Sequence, residues 1–569
     1  MALVLLLQAS LCLAVPLSVT VAGVEGELST NILARLKIYL QQQNADITLR
    51  EIQNLHKRSQ KEIEEALAPY GYYSVQVESS LTQEDEGWHA LYTVTAGPPM
   101  LVGSLSVQIV GPGQGDPVFE DLSAGFPLQP GTQLLDSLYE IGKKKILAQA
   151  MAHGYVRARF IEHKILVKRA EQRADILLSL DTGPLFRFGA TTSKQEIITP
   201  ELLQRFIPYQ EGDVYSLRSL NQLQSSLYAT SYFSQVLVEP KFALRQEDKI
   251  PVEVSLLAAK QNRYSFGIGY GTDTGMRSSL EWKNRLFNRH GHRPTFTMQL
   301  SEKNNHVNGD YAIPIFDPRY DTLSLTGQYL DETWDDTETN MMSYGFSVNH
   351  ETPKNQYGIG LEYRNEAYSV GVTSGTADLL IPSAYWNLIL AKDRTNVENG
   401  IRLSVSVEGA EEELLSTTSF IQFRFSGKAI VTPVENWRIL GRGTIGVTAM
   451  DSIDDLPPSL RFYAGGDQSV RGYGYRTLGP EDASGVVIGG QYLVEGSIEL
   501  ERRLTPRWSM ATFYDVGNAL DAIEADLKHG VGLGVRMTLP FGQIRLDVAS
   551  ALSDDGDPVR IHLSVGADL

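Results

Sequence analysis

The pattern of apolar and polar residues changes near Ala259. Before this point, stretches with apolar residues at helical spacing mix with alternating stretches. After it, apolar and polar residues alternate in one stretch after another, with turn-rich breaks between them. Because alternation with a period of two gives a strand one apolar and one polar face, the sequence predicts an α+β region followed by a long all-β region.

A pattern in the first region occurs three times. Each copy has an early strand, two helical stretches, an aromatic turn and two strands, which predicts a βααββ unit with helices packed on one face of a three-stranded sheet. We assign the three units to residues 15–97, 98–183 and 184–260. The predicted helices before the turns are Ser59–Leu67, Leu135–Met151 and Ser219–Ala229.

The second region, residues 261–569, predicts an antiparallel transmembrane β-barrel. Many strands are ten residues or longer, carry charges on the polar face and have aromatic residues near their ends, as membrane-spanning strands do. A large soluble β-domain is the alternative. An even number of strands allows a barrel to close, and we predict sixteen, centred near residues 267, 281, 297, 310, 325, 345, 361, 386, 405, 424, 442, 494, 511, 534, 546 and 562.

The only long apolar run lies at the start of the chain, from Ala2 to about Ala22. We interpret residues 1–14 as a signal peptide with cleavage after Ala14, although cleavage after Ala22 also fits. The alternating run Leu17–Val21 favours the first site because it predicts a strand. No basic residue precedes the apolar run, which departs from the usual signal.

Charge and composition exclude several classes of protein. Lys and Arg total 50 and Asp and Glu total 68, so the formal charge of −18 disfavours a nucleic-acid-binding protein. The single cysteine, Cys12, allows no disulfide within the chain. The glycines of Gly267–Gly271 lie in a predicted strand without a following helix, which argues against a nucleotide-binding loop, and His290–His292 predicts a polar turn. We therefore predict no enzyme, no cofactor and no metal site.

The longest connection between predicted strands, Asp451–Val487, contains the run Phe462-Tyr463-Ala464-Gly465-Gly466-Asp467-Gln468-Ser469-Val470-Arg471-Gly472-Tyr473. Long loops are usually functional or disordered. Here Gly465, Gly466 and Asp467 with flanking aromatic residues predict a shaped hairpin that presents Arg471 at a specific place.

The segment Val470-Arg471-Gly472-Tyr473 resembles the loop motif of the outer-membrane assembly family that includes BamA, TamA and the two-partner secretion transporters. The longer run Leu460–Asp467 resembles the TamA-like members most. The three repeats resemble POTRA domains of that family, which precede a sixteen-stranded barrel. BamA proteins have five such repeats and two-partner transporters have two.

The resemblance also implies acidic partners for Arg471, because the family has an acidic residue on strands near the loop. Asp515, in Phe513–Asn518, and Glu499 occupy the matching positions. Alternation turns both carboxylates to the inner face of the barrel. An arginine there can bind a carboxylate by two hydrogen bonds, which lysine cannot do.

The function implied by the resemblance is insertion or secretion of outer-membrane proteins, including autotransporters, in a Gram-negative bacterium. Its partners would be an inner-membrane-anchored protein of the TamB kind, unfolded outer-membrane clients and outer-membrane lipid. The alternative is a transporter that secretes one dedicated partner protein, and the number of repeats disfavours it.

We predict that the barrel is weakest between its first strand, Arg263–Gly271, and its last strand, Arg560–Gly566. Gly267, Gly269 and Gly271 share one face of the first strand and contribute almost no side-chain packing. His562 and Gly566 share the inner face of the last strand, which is short. The family resemblance implies a lateral exit into lipid at this seam.

Overall fold

The computed structural model describes residues 17–44, 46–84, 87–271, 275–334, 336–391, 397–522, 526–539, 542–554, 556 and 558–566. The predicted signal peptide, residues 1–14, lies outside the described residues. The described chain forms three three-stranded sheets, each with one or more α-helices, and one sixteen-stranded sheet. None of the described helices is long and apolar enough to cross a membrane.

The first sheet has the strand order β1-β3-β2, with β1 parallel and β2 antiparallel to the central strand. Thr48 begins the longest helix by a capping box with Glu51, and the helix buries Ile52, Ile63 and Leu67. The alternating run at the start of the chain is a strand, as predicted. The elements are β1 (Leu17–Ala22), α1 (Gly26–Arg35), α2 (Lys37–Leu40), α3 (Leu49–Leu67), β2 (Gln76–Glu84) and β3 (Gly87–Thr95).

The second sheet has the equivalent order β4-β6-β5, but only one α-helix accompanies it. The prediction of two helical stretches in this repeat is wrong. The segment Gly111–Gly131 is rich in glycine and proline, which interrupt helices, and contains only a 3₁₀ turn at Pro117–Phe119. The elements are β4 (Leu101–Val110), α4 (Asp136–Ala152), β5 (Arg159–Lys168) and β6 (Arg173–Asp181).

The third sheet has the order β7-β9-β8. Its elements are β7 (Arg187–Ser193), α5 (Pro200–Phe206), α6 (Leu217–Ala229), β8 (Phe233–Pro240) and β9 (Lys249–Ala258). All three sheets place the last strand in the centre, so the sequence repeat corresponds to a repeated topology.

Aromatic residues of the repeated turns pack in the cores. Tyr155 and Tyr232 are each 3% exposed. The Tyr155 hydroxyl donates to Asp116 Oδ2 at 2.7 Å. Burial, together with this hydrogen bond, raises the pKa of Tyr155 to about 12, and the same bond lowers the pKa of Asp116. These turn residues therefore stabilise the repeats.

The fourth sheet is antiparallel, and its sixteen strands follow one another in chain order. Every predicted strand centre falls within the corresponding strand. The strands are β10 (Asn262–Gly271), β11 (Gly275–Asn284), β12 (Arg293–Ser301), β13 (Asn304–Pro314), β14 (Asp321–Trp334), β15 (Thr337–Glu351), β16 (Asn355–Val370), β17 (Thr373–Ala391), β18 (Gly400–Ala410), β19 (Phe420–Val434), β20 (Trp437–Ala449), β21 (Tyr492–Arg503), β22 (Trp508–Leu520), β23 (Lys528–Leu539), β24 (Gly542–Ala551) and β25 (Val559–Gly566).

The two faces of the large sheet differ in chemistry. The outer face carries exposed apolar side chains, such as Phe266 at 74% and Leu533 at 63%. The inner face carries polar and charged side chains, and Arg438 and Glu501 form a buried ion pair there at 2.9 Å. An exposed apolar face of this extent is typical of strands that face lipid.

The predicted closure of the barrel is not found. Among the described residues, no ladder joins β10 to β25, so each of these strands has one edge without a strand partner. Within the described residues, β25 has eight residues. The sixteen strands are therefore confirmed, whereas their closure is not.

The sixteen-stranded sheet forms one compact unit with Ser193–Pro208 and Leu223–Leu237. Within this unit, Arg205 of α5 donates from Nε to the Phe316 carbonyl at 3.1 Å, and the Tyr232 hydroxyl donates to the Gly291 carbonyl at 2.8 Å. The two carbonyls belong to the turns that follow β13 and β11. These contacts bind the turn between β11 and β12 and the turn between β13 and β14, which lie at the same end of their strands.

Candidate functional site

The candidate site is the long connection between β20 and β21, residues 450–491, which we call the loop. It packs on the inner face of the sheet. The chain turns back on itself here, because Ala464 and Leu478 exchange two backbone hydrogen bonds of 2.9 and 3.0 Å. The connection thus contains the predicted hairpin. It forms a small core with residues of β21, β22 and β24: Phe462, Ala464, Val470, Tyr473, Leu478, Leu493, Ala519 and Ala551.

Two arginines fix the shape of this connection through backbone carbonyls. Arg461 is 4% exposed and donates to the carbonyls of Leu456, Ile488 and Asp454 at 2.7–3.2 Å. Arg442 of β20 donates to the carbonyls of Gln468 and Ser469. Because Arg461 joins carbonyls near both ends of the connection through one side chain, these hydrogen bonds hold the connection in one conformation.

The three predicted scaffold residues lie at the turn of the hairpin. Gly465 donates its N–H to Ser469 Oγ at 2.8 Å. Gly465 and Gly466 both have positive φ, at 96° and 105°. Asp467 is half-buried and lines a cavity of about 40 Å³, beside Lys428, Arg442 and Arg471.

The structure brings Arg471 together with Asp515. The Arg471 guanidinium donates from Nε to Oδ2 at 2.7 Å and from Nη2 to Oδ1 at 2.9 Å, which is a bidentate pair. The Arg471 backbone N–H donates to the same carboxylate at 3.0 Å. The guanidinium also lies 3.3 Å from the ring centroid of Phe513 on β22, a cation–π contact. β22 therefore binds this arginine through three kinds of interaction.

Arg471 reaches two further strands. Its Nη1 donates to Glu499 Oε2 of β21 at 2.9 Å and to Asp547 Oδ2 of β24 at 3.1 Å. Arg471 is 4% exposed and Asp515 is fully buried, so the pair lies away from water. Removing one partner of a buried ion pair typically costs about 3–5 kcal/mol, because the other charge remains buried alone.

Sequence reasoning missed two members of this site, Asp547 and Arg536. Arg536 of β23 is fully buried and contacts both Glu499 and Asp547. The signal that could have found them is their position: each alternates with apolar residues that face outward, so each turns a charge to the inner face. The chain thus places five charged side chains in one cluster, which we call the loop-binding cluster: Arg471, Glu499, Asp515, Arg536 and Asp547.

Residues beside Arg471 attach the loop to β25 and to the turn that precedes it. The Gly472 N–H donates to His562 Nε2 of β25 at 3.1 Å. Tyr473 is 4% exposed, and its hydroxyl accepts a hydrogen bond from the Ser553 N–H at 3.2 Å. Val470 is fully buried. The four motif residues therefore contact β22, β21, β24 and β25 or the turns beside them.

The predicted seam residues lie at the two ends of the sheet. A Cβ atom on Gly267 would meet Ser279 Oγ at 2.5 Å, so the side chains of β11 occupy the space that the glycines leave. Gly271 pairs with Gly275 in the ladder of β10 with β11, and Gly566 pairs with Gln543 in the ladder of β25 with β24. His290–His292 forms a turn as predicted.

The fold and the site define a class of protein: an outer-membrane β-sheet protein with periplasmic repeats and an arginine-bearing loop bound on the inner face. Comparison with known proteins agrees. Residues 260–568 match the Omp85 superfamily domain, and residues 18–96 match the first POTRA domain of TamA. The chain belongs to the Omp85 superfamily and lies in the outer membrane, with its POTRA region in the periplasm.

Two relatives illustrate the likeness. The outer membrane protein assembly factor BamA of Nitratidesulfovibrio vulgaris is 24% identical over 377 residues, which are 61% of this chain and 46% of the relative. The chain thus spans about half the length of this relative. The crystal structure of BamA from Haemophilus ducreyi lacking POTRA domains 1–3 aligns with a TM-score of 0.68 at 15% identity, covering 82% of this chain and 99% of that one. At this identity the likeness shows the fold alone.

Proposed function

We propose that this chain is a TamA-like assembly protein that helps to insert β-barrel proteins, including autotransporters, into the outer membrane. In this proposal the three small sheets are three POTRA domains, and clients leave laterally between β10 and β25. The observation that carries the proposal is the pair of strand edges without a ladder partner among the described residues, in a sheet whose outer face is apolar.

The physical basis is strand addition. An unpaired strand edge offers N–H and C=O groups that a client strand can bind by main-chain hydrogen bonds. Such groups have no water partner in lipid, so the edge favours pairing. The free energy of insertion comes from the client, which buries its apolar face in lipid and pairs its own strands. The process needs neither a nucleotide nor a catalytic residue.

The proposed partners are an inner-membrane-anchored protein of the TamB kind, unfolded outer-membrane clients and outer-membrane lipid. The match of residues 18–96 to a TamA-type POTRA domain supports the first of these. The outer edge of the first sheet also suits strand addition. β2 pairs with β3 over nine residues without a break in register, and its sequence has no Pro or Lys, two residues that protect edge strands elsewhere.

The test is depletion of the protein followed by proteomics of the outer membrane. Loss of many barrel proteins supports the proposal, whereas loss of one secreted protein alone would overturn it in favour of a dedicated transporter. A variant that lacks residues 15–97 provides a second comparison with the wild type. We expect it to reach the outer membrane with a folded large sheet but with reduced levels of the same clients.

A further inference from the structure

Arg536 lies outside the loop motif, yet it also binds two buried carboxylates. It is fully buried on the inner face of β23. Its Nε and Nη2 donate to Glu499 Oε1 at 3.1 and 2.9 Å, and its Nη1 donates to Asp547 Oδ1. A buried guanidinium with these contacts neutralises the carboxylates that it binds.

The two arginines share the same two carboxylates without sharing an oxygen. Glu499 accepts hydrogen bonds from Arg471 at Oε2 and from Arg536 at Oε1. Asp547 accepts hydrogen bonds from Arg471 at Oδ2 and from Arg536 at Oδ1. Arginine, glutamate, arginine and aspartate thus form a closed ring of alternating charge, and Asp515 binds Arg471 from outside it.

This arrangement fixes where the carboxylates point. Glu499 and Asp547 are on β21 and β24, which are separated in the sheet by β22 and β23. A carboxylate held at one oxygen by Arg536 presents its other oxygen in a set direction, toward Arg471. Without Arg536, two buried carboxylates would each lose a donor and would rely on Arg471 alone, an arrangement that buried sites tolerate poorly.

We propose that Arg536 is a positioning residue for the loop: it orients Glu499 and Asp547 to receive Arg471 and so extends the attachment of the loop from β21 and β22 to β24. Through the neighbouring Gly472–His562 hydrogen bond, the attachment continues to β25. This role concerns how the loop is held, and it stands or falls independently of the clients that the protein serves.

The test is amide hydrogen exchange of the purified full chain in lipid nanodiscs, read on peptides covering Gly465–Tyr473. In Arg536→Met we expect exchange of this segment to become about tenfold faster, because the loop opens more often. β15 serves as the internal reference and should not change. Arg536→Lys should give an intermediate rate, because an ammonium group cannot donate to both carboxylates as the planar guanidinium does.

Two further variants separate positioning from a general effect on the fold. Adding Asp547→Asn to Arg536→Met should speed exchange of the loop little further, because both substitutions disrupt the same contact between Asp547 and Arg471. Arg319→Met is the control, since Arg319 also binds a carboxylate, that of Asp317, but lies in the turn between β13 and β14. It should leave the loop unchanged.

The inference is overturned if Arg536→Met leaves exchange of the loop unchanged or slows it. It is also overturned if Asp547→Asn speeds exchange as much in Arg536→Met as it does in the wild type, or if Arg319→Met speeds exchange equally. Should Arg536→Met fail to fold, Arg536→Lys decides the matter. Faster exchange confined to the loop and β25 supports the positioning role, and faster exchange throughout the sheet contradicts it.

Discussion

The first and last strands of the large sheet each have one strand neighbour, but they differ in what else holds them. β25 pairs with β24 and also accepts the Gly472 N–H at His562. β10 pairs with β11 over ten residues, and among the described residues no hydrogen bond or ion pair joins it to the loop. The loop therefore stabilises one side of the seam only.

The side chains of the inner face also differ between the two ends of the sheet. Near β25, the loop-binding cluster buries five charges that depend on one another. Near the other end, Gly267 and Gly269 contribute no side chain, and Ser279 and Arg277 of β11 occupy the space. Regions with fewer buried contacts open at lower free energy. The difference predicts that, of these two strands, β10 separates from its neighbour more readily, while β25 stays with the loop.

The largest expected effect comes from joining the two strands covalently. In a Cys12→Ser background, pairs of cysteines placed within Ser265–Gly271 and Ile561–Val565 should include one register that forms a disulfide. We expect the joined protein to lose assembly function and to regain it on reduction, because client strands need a free edge. The measurement is the level of outer-membrane clients before and after reduction.

A cysteine pair inside an existing ladder controls for the disulfide itself. Ser265 and Glu281 are direct partners in β10 and β11, so a disulfide there leaves both strand edges free. Function should persist in this control. If a joined seam retained full function, lateral opening would have no part in the mechanism.

The next effect concerns the side of the seam that the loop holds. Arg471→Ala and Asp515→Ala should each lower the free energy of unfolding by about 3–5 kcal/mol, because each leaves a buried charge without its partner. A double variant should lose much less than the sum of the two. Urea unfolding of the protein in detergent measures all three values. Full additivity would mean that the two residues act independently, contrary to their three hydrogen bonds.

A smaller loss is expected at the glycine beside this arginine. Gly472 has a φ of 100°, and a Cβ atom there would lie 2.8 Å from the Ser550 carbonyl carbon. Gly472→Ala combines a strained backbone with a contact to backbone that cannot move aside, so it should cost about 1–3 kcal/mol of stability. A variant as stable as the wild type would show that the loop is loosely packed at β24.

Most of the fold could be predicted from the sequence because its signal is local. Alternation with a period of two located all sixteen strands, and it also turned Asp515 and Glu499 to the inner face. The role of Arg536 could not be predicted in this way, since its partners lie on β21 and β24 and are chosen by packing across the sheet. Pairing of β10 with β25 is equally non-local, and no pattern within either strand determines whether they meet.

The smallest effect is expected at the other end of the sheet, where Gly269 provides the counterpart of Gly472. A Cβ atom on Gly269 would lie 2.7 Å from Arg277 Nε, which belongs to a long side chain that can rotate away. The replacement also restricts the unfolded chain, which favours folding, so Gly269→Ala should change stability by no more than about 1 kcal/mol in either direction. Urea unfolding of Gly269→Ala and Gly472→Ala under the same conditions makes the comparison direct. If the two variants lost the same stability, the inner face near β10 would be as tightly packed as that near β24, and the contrast between the two sides of the seam would fail.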